Sequence, residues 1–306
     1  MNNKKYLSTA LLFIAAVIWG FAFAAQDAAS EMGAFTLGFA RSIVGGVFLI
    51  GVVIAFDKFS GNGRRLFSKK GIDLNKHEIL GGVIIGTVLV VASAFQQMGI
   101  KEGTDGGKAA FITALYVVLV PIYALALRKK APFNVWISVA IAVLGFYTLC
   151  IRDNFTVAPS DLLVVASSML FPIHILTIDH FSPKCDGIRM SMVQFFTAAV
   201  LNLIIALIFE GAGELGAIYL NILPLLYLGI ASSGIAYTLQ IIGQKDFNPS
   251  VASIILSLES VFGVIGTALF LQQTLSPREY LGCAIVLVAV ILSQIDFEAL
   301  KAKLKK

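Results

Sequence analysis

The stretch VASIILSLESVFGVIGTALFL, residues 251–271, decides the fold. Glu259 is its only charged residue and lies near its centre. A helix needs about 20 apolar residues to cross the hydrocarbon core of a bilayer, whereas a surface helix of a soluble protein carries a polar face that this stretch lacks. The stretch therefore predicts a membrane-spanning helix.

Nine other stretches have the same character. The ten apolar blocks cover residues 7–25, 34–56, 79–100, 109–127, 135–151, 162–178, 191–209, 222–242, 251–271 and 280–295. Arg41 and Glu259 are the only charged residues in them, although 13% of the 306-residue chain is charged. A soluble domain spreads about 25% charged residues over its surface, so a soluble enzyme, a nucleic-acid-binding protein and a secreted disulfide scaffold are excluded. The block lengths also argue against a β-barrel.

The first block imitates a secretory signal peptide, because Lys4-Lys5 precede it and small residues follow at 22–26. Its apolar run, residues 7–25, exceeds the roughly 7–15 apolar residues of such signals. We therefore expect the block to be retained as the first transmembrane helix.

Basic residues predict the orientation in the membrane. With the N-terminus in the cytoplasm, 18 of the 23 Lys and Arg residues fall on the cytoplasmic side and four, Lys101, Lys108, Arg152 and Arg278, fall on the other. Loops rich in Lys and Arg stay on the cytoplasmic side. The distribution predicts both chain ends in the cytoplasm and an even number of spans.

Parts of the first half of the chain recur in the second half. Residues 94–99 resemble 236–241, residues 111–117 resemble 254–260, and residues 136–141 resemble 280–285, at offsets of 142, 143 and 144 residues. Spacing and hydropathy carry the match, and any ten-helix protein has some self-similarity of this kind. Loop charge is the stronger sign, because basic loop 57–78 corresponds to the acidic loop 210–221.

Each half holds five spans, so the second half must enter the membrane in the opposite orientation. Inverted repeats are a recurring architecture of secondary transporters, with the substrate site near the bilayer midplane. We predict an all-α membrane protein of ten transmembrane helices built as two inverted five-helix repeats. Residues 7–151 form the first repeat, residues 162–296 the second, and residues 297–306 a basic amphipathic C-terminal tail.

Several short motifs resemble those of a known family. They are Trp19-Gly20, Phe39-Ala40-Arg41, the run from Phe111 to Pro121, and Ser257-Leu258-Glu259-Ser260-Val261-Phe262. In this register they resemble the two EamA-type units of the drug/metabolite transporter superfamily over nearly the whole chain. The resemblance implies a ten-helix carrier of the bacterial inner membrane, an exporter of amino acids or other metabolites that works by alternating access.

Three titratable residues inside the blocks are candidates for function. A carboxylate at the centre of a span costs about 3 kcal/mol on insertion scales, so Glu259 should face protein or a water-filled cavity. It could bind a substrate amine or carry a proton, or it could pair with a neighbouring helix structurally. His174 could couple transport to protons or hydrogen-bond between helices. Arg41 could contact an anion, or it could snorkel to the outer interface.

Uncharged polar and aromatic residues complete the predicted cavity between the first, third, fourth, sixth, eighth and ninth spans. Polar groups in lipid must find partners, so bonding between helices is the competing role. With Glu259 and His174, the predicted lining residues are Trp19, Phe23, Gln26, Ser93, Gln97, Tyr116, Ser233, Tyr237 and Gln240.

The sequence carries no phosphate-binding loop and no H-E-x-x-H motif, and its three cysteines lack ligand spacing. We expect no enzyme activity, no cofactor, no metal and no nucleic-acid partner. The predicted function is secondary-active transport of a small organic solute across the lipid bilayer, in the export direction. The alternative is a non-transporting membrane protein such as an intramembrane hydrolase, which would need Ser232 or Ser233 beside His174, or a channel. The oligomeric state stays open, a monomer included.

Overall fold

A computed structural model describes residues 3–59, 64–68, 71–129, 131–150, 157–270 and 276–295. Nearly all of these residues are helical. Among them, eight helices are long and apolar enough to cross a membrane, and Phe133–Leu149 is a shorter apolar helix. This agrees with the membrane protein that the apolar blocks predict, whereas the amphipathic tail predicted at 297–306 lies outside the described residues.

Fourteen α-helices, numbered α1 to α14 in chain order, are found in the described ranges. They are Asn3–Ala28, Ala34–Phe59, Lys76–Lys101, Gly106–Ala114, Tyr116–Ala126, Phe133–Cys150, Pro159–Phe181, Gly187–Phe209, Ala217–Leu220, Ile222–Leu226, Tyr237–Gln244, Pro249–Leu256, Leu258–Phe270 and Pro277–Ser293. A π-helical segment, Tyr227–Ala236, joins α10 to α11, and 3₁₀ turns occupy Ser182–Lys184 and Ala212–Gly216. A short hairpin pairs Phe67–Ser68 with Gly71–Ile72.

Polar residues placed just before the helices explain where several of them begin. Asn75 and Ser276 form capping boxes with Glu78 and Glu279, in which side chain and backbone N–H groups satisfy one another at the first turn. Asp105 and Asp186 cap α4 and α8 through their carboxylates. Because these caps stand next to apolar runs, they fix the ends of the spans at the polar boundary.

Two spans are interrupted near their middle, which the sequence did not predict. The fourth block divides at Leu115 into α4 and α5, and the ninth divides at Ser257 into α12 and α13. The eighth block winds as a π-helix before it becomes α11. Single π turns and breaks of this kind are concentrated at functional sites, and broken transmembrane helices commonly form transporter binding sites.

The helices pack in pairs. The second helix α2 lies along α8, α6 lies along α14, α3 packs on α7 and α8, and α1 packs on α13 and on the π-helical segment with α11. Gly20 lets α1 approach α13 closely, because a Cβ atom there would lie 2.3 Å from Cβ of Phe262. Small residues at such crossings are the usual means by which transmembrane helices associate.

Both ends of the α2–α8 pair are held by carboxylates. At the end of α2, Asp57 accepts hydrogen bonds of 2.6 and 2.8 Å from Arg189 at the start of α8, and the two side chains are 5% and 1% exposed. At the other end, Glu210 after α8 accepts from the backbone N–H of Phe35 and of Thr36 and from the Thr36 hydroxyl. The two helices are therefore tied at both faces of the molecule.

Hydroxyl–carboxylate contacts join other helix ends. Ser8 near the start of α1 donates to Asp246 after α11, at 2.8 Å. Thr104, between α3 and α4, donates to Asp161 in the first turn of α7 at 2.9 Å, and Lys108 of α4 pairs with the same carboxylate.

An ionic cluster holds the hairpin against the helix ends. Arg64 binds Asp73 and the fully buried carboxylate of Glu78. The hydrogen bond from Arg64 lowers the pKa of Asp73 below its ordinary value, since it favours the charged form. Leu66 is buried beneath the hairpin, and its backbone N–H donates to Asp57.

Candidate functional site

A central cavity lies between the helices where α4–α5 and α12–α13 are interrupted. The cavity volume is about 50 Å³. The lining residues come from α1, α2, α3, α4, α5, α7, the π-helical segment, α11, α12 and α13: Trp19, Ala22, Phe23, Gln26, Arg41, Ser93, Gln96, Thr113, Tyr116, Phe171, His174, Ile175, Ser232, Tyr237, Gln240, Leu256 and Glu259. A cleft with a few polar groups in an apolar wall has the lining that is typical of a small-molecule site.

Arg41 points into the cavity and is held by three acceptors. Its Nε donates to Ser233 Oγ at 3.2 Å, one terminal nitrogen donates to Gln26 Oε1 at 3.1 Å, and the other donates to Ser232 Oγ at 2.9 Å. The consecutive serines belong to the π-helical segment, whose Gly229 carbonyl lies close enough to Gly45 of α2 that a Cβ there would be 2.9 Å away. A guanidinium has five N–H donors, so this one retains donors for a ligand.

Glu259 lies in the first turn of α13, directly after the break at Ser257. Its side chain is hydrogen-bonded to the hydroxyl of Tyr116, which stands at the corresponding place after the break at Leu115. Glu259 is 5% exposed, and its Oε1 has no hydrogen-bond partner in the described part of the chain.

Two further buried polar atoms in the cavity wall lack partners among the described residues. They are Gln240 Oε1 and His174 Nε2. Buried polar atoms in proteins are nearly always hydrogen-bonded, and three of the ten unpartnered buried atoms in the described residues belong to this cavity wall, where the Glu259 and Gln240 oxygens can accept from a hydrogen-bond donor of a ligand or of water. An organic ammonium group supplies up to three such donors.

Aromatic rings form one side of the cavity around Tyr237. The ring of Trp19 lies 4.6 Å from that of Tyr237, His174 lies 5.7 Å away at 90°, and Phe195 lies 5.5 Å away. Edge-to-face pairs of this kind each contribute about 0.5–1.5 kcal/mol beyond burial, so they hold the wall in one arrangement.

Most residues predicted from the sequence meet in this cavity. Nine of the predicted lining residues line it, together with Arg41: Trp19, Phe23, Gln26, Ser93, Tyr116, His174, Tyr237, Gln240 and Glu259. Arg41 does not snorkel to an interface as one interpretation had it, because α2 places it opposite the two serines.

Two predicted lining residues lie behind the wall. Gln97 is buried and donates to the backbone carbonyl of Gln26 at 3.4 Å, and Ser233 supports Arg41 without itself lining the cavity. In both cases the adjacent residue, Gln96 or Ser232, takes the lining position. When two neighbouring residues of a helix are both polar, helical spacing identifies the one that faces the cavity only to within about one position. In the eighth span, the π-helical winding shifts the residues that face the cavity further.

Several lining residues were not predicted. They are Ala22, Gln96, Thr113, Phe171, Ile175, Ser232 and Leu256. Thr113 accepts a hydrogen bond from Gln96 at 2.9 Å, and a polar pair on adjacent spans was the available signal for it. The second span was also missing from the predicted wall, because its contribution is the side chain of Arg41 alone.

A serine–histidine pair is not formed at this site. Ser232 and Ser233 accept from Arg41, while His174 Nε2 is without a hydrogen-bond partner among the described residues. No group of three or more metal-ligating side chains was found within the described ranges.

Comparison with known proteins gives three results. The model of the EamA-like transporter family matches residues 7–151 and 158–294. An Archaeoglobus fulgidus protein described as an uncharacterized transporter is 30% identical over 212 residues, which are 69% of this chain and 67% of its own length. A solved crystal structure shares the fold with a TM-score of 0.73 at 15% identity, over 98% of this chain and 99% of its own.

Proposed function

The chain belongs to the EamA-like transporter family and is a multi-pass membrane transporter, and from this premise we propose that it is a secondary-active exporter of a small zwitterionic solute. In this proposal the chain crosses the bacterial inner membrane ten times, with both ends in the cytoplasm. Proteins of this kind bind a small molecule within a bilayer and are not in general enzymes. The two inverted repeats would expose the central cavity to one side of the membrane at a time.

The paired contacts at the helix ends support the inverted repeat. Thr36 and Arg189 stand 153 residues apart in the sequence, as do Asp57 and Glu210. Asp57 binds Arg189, and Glu210 binds Thr36. Two-fold related positions contact one another reciprocally in this way when a symmetric interface lies on the axis.

A second set of contacts follows the same relation. Ser8 and Asp161 are also 153 residues apart, and Thr104 and Asp246 are 142 apart, close to the offsets of the sequence repeat. The bonds Ser8–Asp246 and Thr104–Asp161 therefore occupy matched places with donor and acceptor exchanged. The matched interruptions at Leu115 and Ser257, 142 residues apart, give the same support. The ninth and tenth spans of the proposal are Phe133–Leu149 and α14, Pro277–Ser293.

The observation that carries the solute class is the presence of one carboxylate and one guanidinium in a single cavity. Glu259 has an unpartnered oxygen that suits a protonated amine, and Arg41 retains donors that suit a carboxylate. A buried charge is costly unless it is paired, so a solute with both charges would compensate both groups. Amino acids have this chemistry.

Uptake into proteoliposomes tests the proposal. We expect saturable flux of one or more amino acids and competition by the free amino acid but not by its methyl ester, which lacks the carboxylate. Arg41→Gln removes a charged hydrogen bond worth roughly 1.5–3 kcal/mol, so the apparent affinity should fall about 10- to 150-fold. Thr148→Val, which removes an exposed hydroxyl bonded within its own helix, is the control. Flux that does not saturate would indicate a channel, and equal competition by ester and acid would exclude the carboxylate contact.

A further inference from the structure

The two groups of helices that move relative to one another in a transport cycle need not be the first and second halves of the sequence. The first helix α1 packs on the π-helical segment with α11 and on α12 and α13, and Ser8–Asp246 ties its end to α11. In the matched arrangement, α7 packs on α3, α4 and α5, and Asp161 binds Thr104 and Lys108. The opposite end of α7 is also tied to its partners, by the ion pair of Asp179 with Lys129.

These contacts define two bodies, each with helices from both halves of the chain. Body A contains α1, α2, the π-helical segment and α11 to α13, and α2 joins it through Arg41, which binds Gln26, Ser232 and Ser233 within that body. Body B contains α3, α4, α5, α7 and α8, with α8 packed along α3. Both charged cavity residues, Arg41 and Glu259, therefore belong to body A.

The ion pairs and hydrogen bonds between body A and body B are unevenly distributed over their interface. Where α2 meets α8, carboxylate bonds close both ends, Asp57 with Arg189 at one face and Glu210 with Thr36 at the other. Loss of one partner of a buried ion pair is strongly destabilising, so separating α2 from α8 at the Asp57–Arg189 end is unfavourable, and at the other end Glu210 holds the start of α2 through three hydrogen bonds.

Away from the α2–α8 pair, the bodies meet in the cavity, where Tyr116 of α5 is bonded to Glu259 of α13, and through neutral hydrogen bonds near each face. Near the face where α1 begins, the hydroxyls of Thr238 in α11 and Ser191 in α8 are hydrogen-bonded to each other at 2.8 Å, and Gln244 donates to the Ile175 carbonyl of α7 at 2.6 Å. Toward the opposite face, Gln97 reaches the Gln26 carbonyl at 3.4 Å. Neutral hydrogen bonds are individually weak, so they can break and reform during a transport cycle.

We propose that the α2–α8 pair is the fulcrum on which bodies A and B rock, and that the Thr238–Ser191 and Gln244–Ile175 contacts form a gate at the face where α1 begins. The pair stays closed at both faces, while the gate opens and closes. This proposal rests on the proposed transport function. A solute held by Arg41 and Glu259 moves with body A and is released when body B swings away from it.

A cross-linking experiment distinguishes the role of the fulcrum from the role of the gate. In a background without the native cysteines, the variants Thr36→Cys with Glu210→Cys place a cross-link across the fulcrum, and Ser191→Cys with Thr238→Cys place one across the gate. After treatment with a short bifunctional thiol reagent, we expect the fulcrum pair to retain more than about half of its flux and the gate pair to lose more than about tenfold. Cleavage of the linker should restore the gate pair. Loss of flux in the fulcrum pair, or retained flux in the gate pair, would overturn the proposal.

Distance measurements keep the test independent of transport. Spin labels are placed on exposed positions at the two ends of the fulcrum and across the gate: Lys58 with Lys184, Glu31 with Phe209, and His180 with Lys245. Thr238→Val with Gln244→Leu removes the gate hydrogen bonds without large changes in side-chain size. We expect the His180–Lys245 distance to gain a longer component and the two fulcrum distances to remain unchanged.

A fulcrum distance that lengthens together with the gate distance would contradict the fulcrum. A gate distance that does not respond would contradict the gate. If the parent protein moves no solute at all, the proposed function fails, whereas the distance result still decides how the two bodies are joined.

Discussion

The two carboxylate oxygens of Glu259 lie in different surroundings. One side of the carboxylate is bonded to Tyr116, and Oε1 is without a partner in the described part of the chain. A carboxylate in this position can exchange a proton for the ammonium group of a solute, because either one supplies the missing donor. Competition between a proton and a solute at one group is a simple way to couple their movements.

The first prediction concerns this residue. Glu259→Gln cannot take up or release a proton, so the pH dependence of solute flux in proteoliposomes should be lost or strongly flattened across mildly acidic to mildly alkaline pH. Tyr116→Phe is the matched control, since it removes the hydrogen bond but keeps the carboxylate, and it should retain a pH-dependent profile with a displaced midpoint. An unchanged profile in Glu259→Gln would exclude proton coupling through this side chain.

A second prediction concerns the free thiol of Cys185, which lies just before α8. Partial burial, and next the negative charge of Glu78, raise its pKa to about 11. Because the thiolate is the reactive form, alkylation near neutral pH should be at least about tenfold slower than at an exposed thiol. The comparison is with Cys185→Ser carrying Lys184→Cys, one residue away and exposed. Equal rates for the two thiols would show that the site does not suppress ionisation.

At the scale of elements, the two interrupted spans and the π-helical segment determine the site. The breaks at Leu115 and Ser257 set Tyr116 and Glu259 at the first turns of α5 and α13. The π-helical segment supplies Ser232 and Ser233, which accept from two different nitrogens of Arg41. The irregular parts of three spans thus carry these contacts of the site.

A third prediction tests the crossing of α1 and α13. Gly20→Ala places a methyl group 2.3 Å from Cβ of Phe262 and 2.8 Å from the carbonyl oxygen of Glu259. Overpacking of this kind costs typically about 1–3 kcal/mol, so the melting temperature of the purified protein should fall. Gly51→Ala is the matched control on α2, where nothing lies within 4 Å of the added methyl, and it should be neutral or stabilising by up to about 1 kcal/mol. Equal melting temperatures for the two variants would contradict the close crossing.

The sequence predicted the helical, membrane-spanning class because the apolar blocks are long and nearly free of charge. Most of the residues that it proposed for a site are brought together in the cavity, since polar residues inside such blocks must find partners. It did not predict the breaks at Leu115 and Ser257, because neither position is marked by Pro or Gly, and it did not predict the π-helical winding, although Gly229 and Gly234 lie within that segment. Propensity also gives no account of the α2–α8 contacts, which depend on residues more than 130 positions apart.

At the scale of the whole molecule, we propose that the two-fold axis of the inverted repeat runs through the cavity. The α2–α8 pair and the α6–α14 pair both bring matched helices together, and Tyr116 and Glu259 meet between them. The two halves are not chemically equal, since Arg189 stands where the other repeat has Thr36. An inverted repeat with unequal ends can favour one orientation of the cavity over the other.

The fourth prediction tests the topology. Single cysteines at Lys4, Lys184 and Lys101, introduced into a cysteine-free background, should react differently with a membrane-impermeant thiol reagent applied to intact cells. Lys101→Cys should be labelled from outside, whereas Lys4→Cys and Lys184→Cys should be labelled only after the membrane is opened. External labelling at Lys4 would place the N-terminus on the other side and remove the basis of the proposed orientation.

The restraint of Arg41 has a thermodynamic consequence. A free arginine side chain carries about 2 kcal/mol of rotamer entropy, and here Gln26, Ser232 and Ser233 have already immobilised it during folding. Binding of an anion therefore requires little further loss of conformational entropy in the Arg41 side chain, and more of the contact free energy appears as affinity. Because the Arg41 side chain is held rigidly, it cannot shift to contact a solute carboxylate that lies an ångström from the best position. Selectivity therefore depends on how closely the solute carboxylate matches the fixed position of the guanidinium.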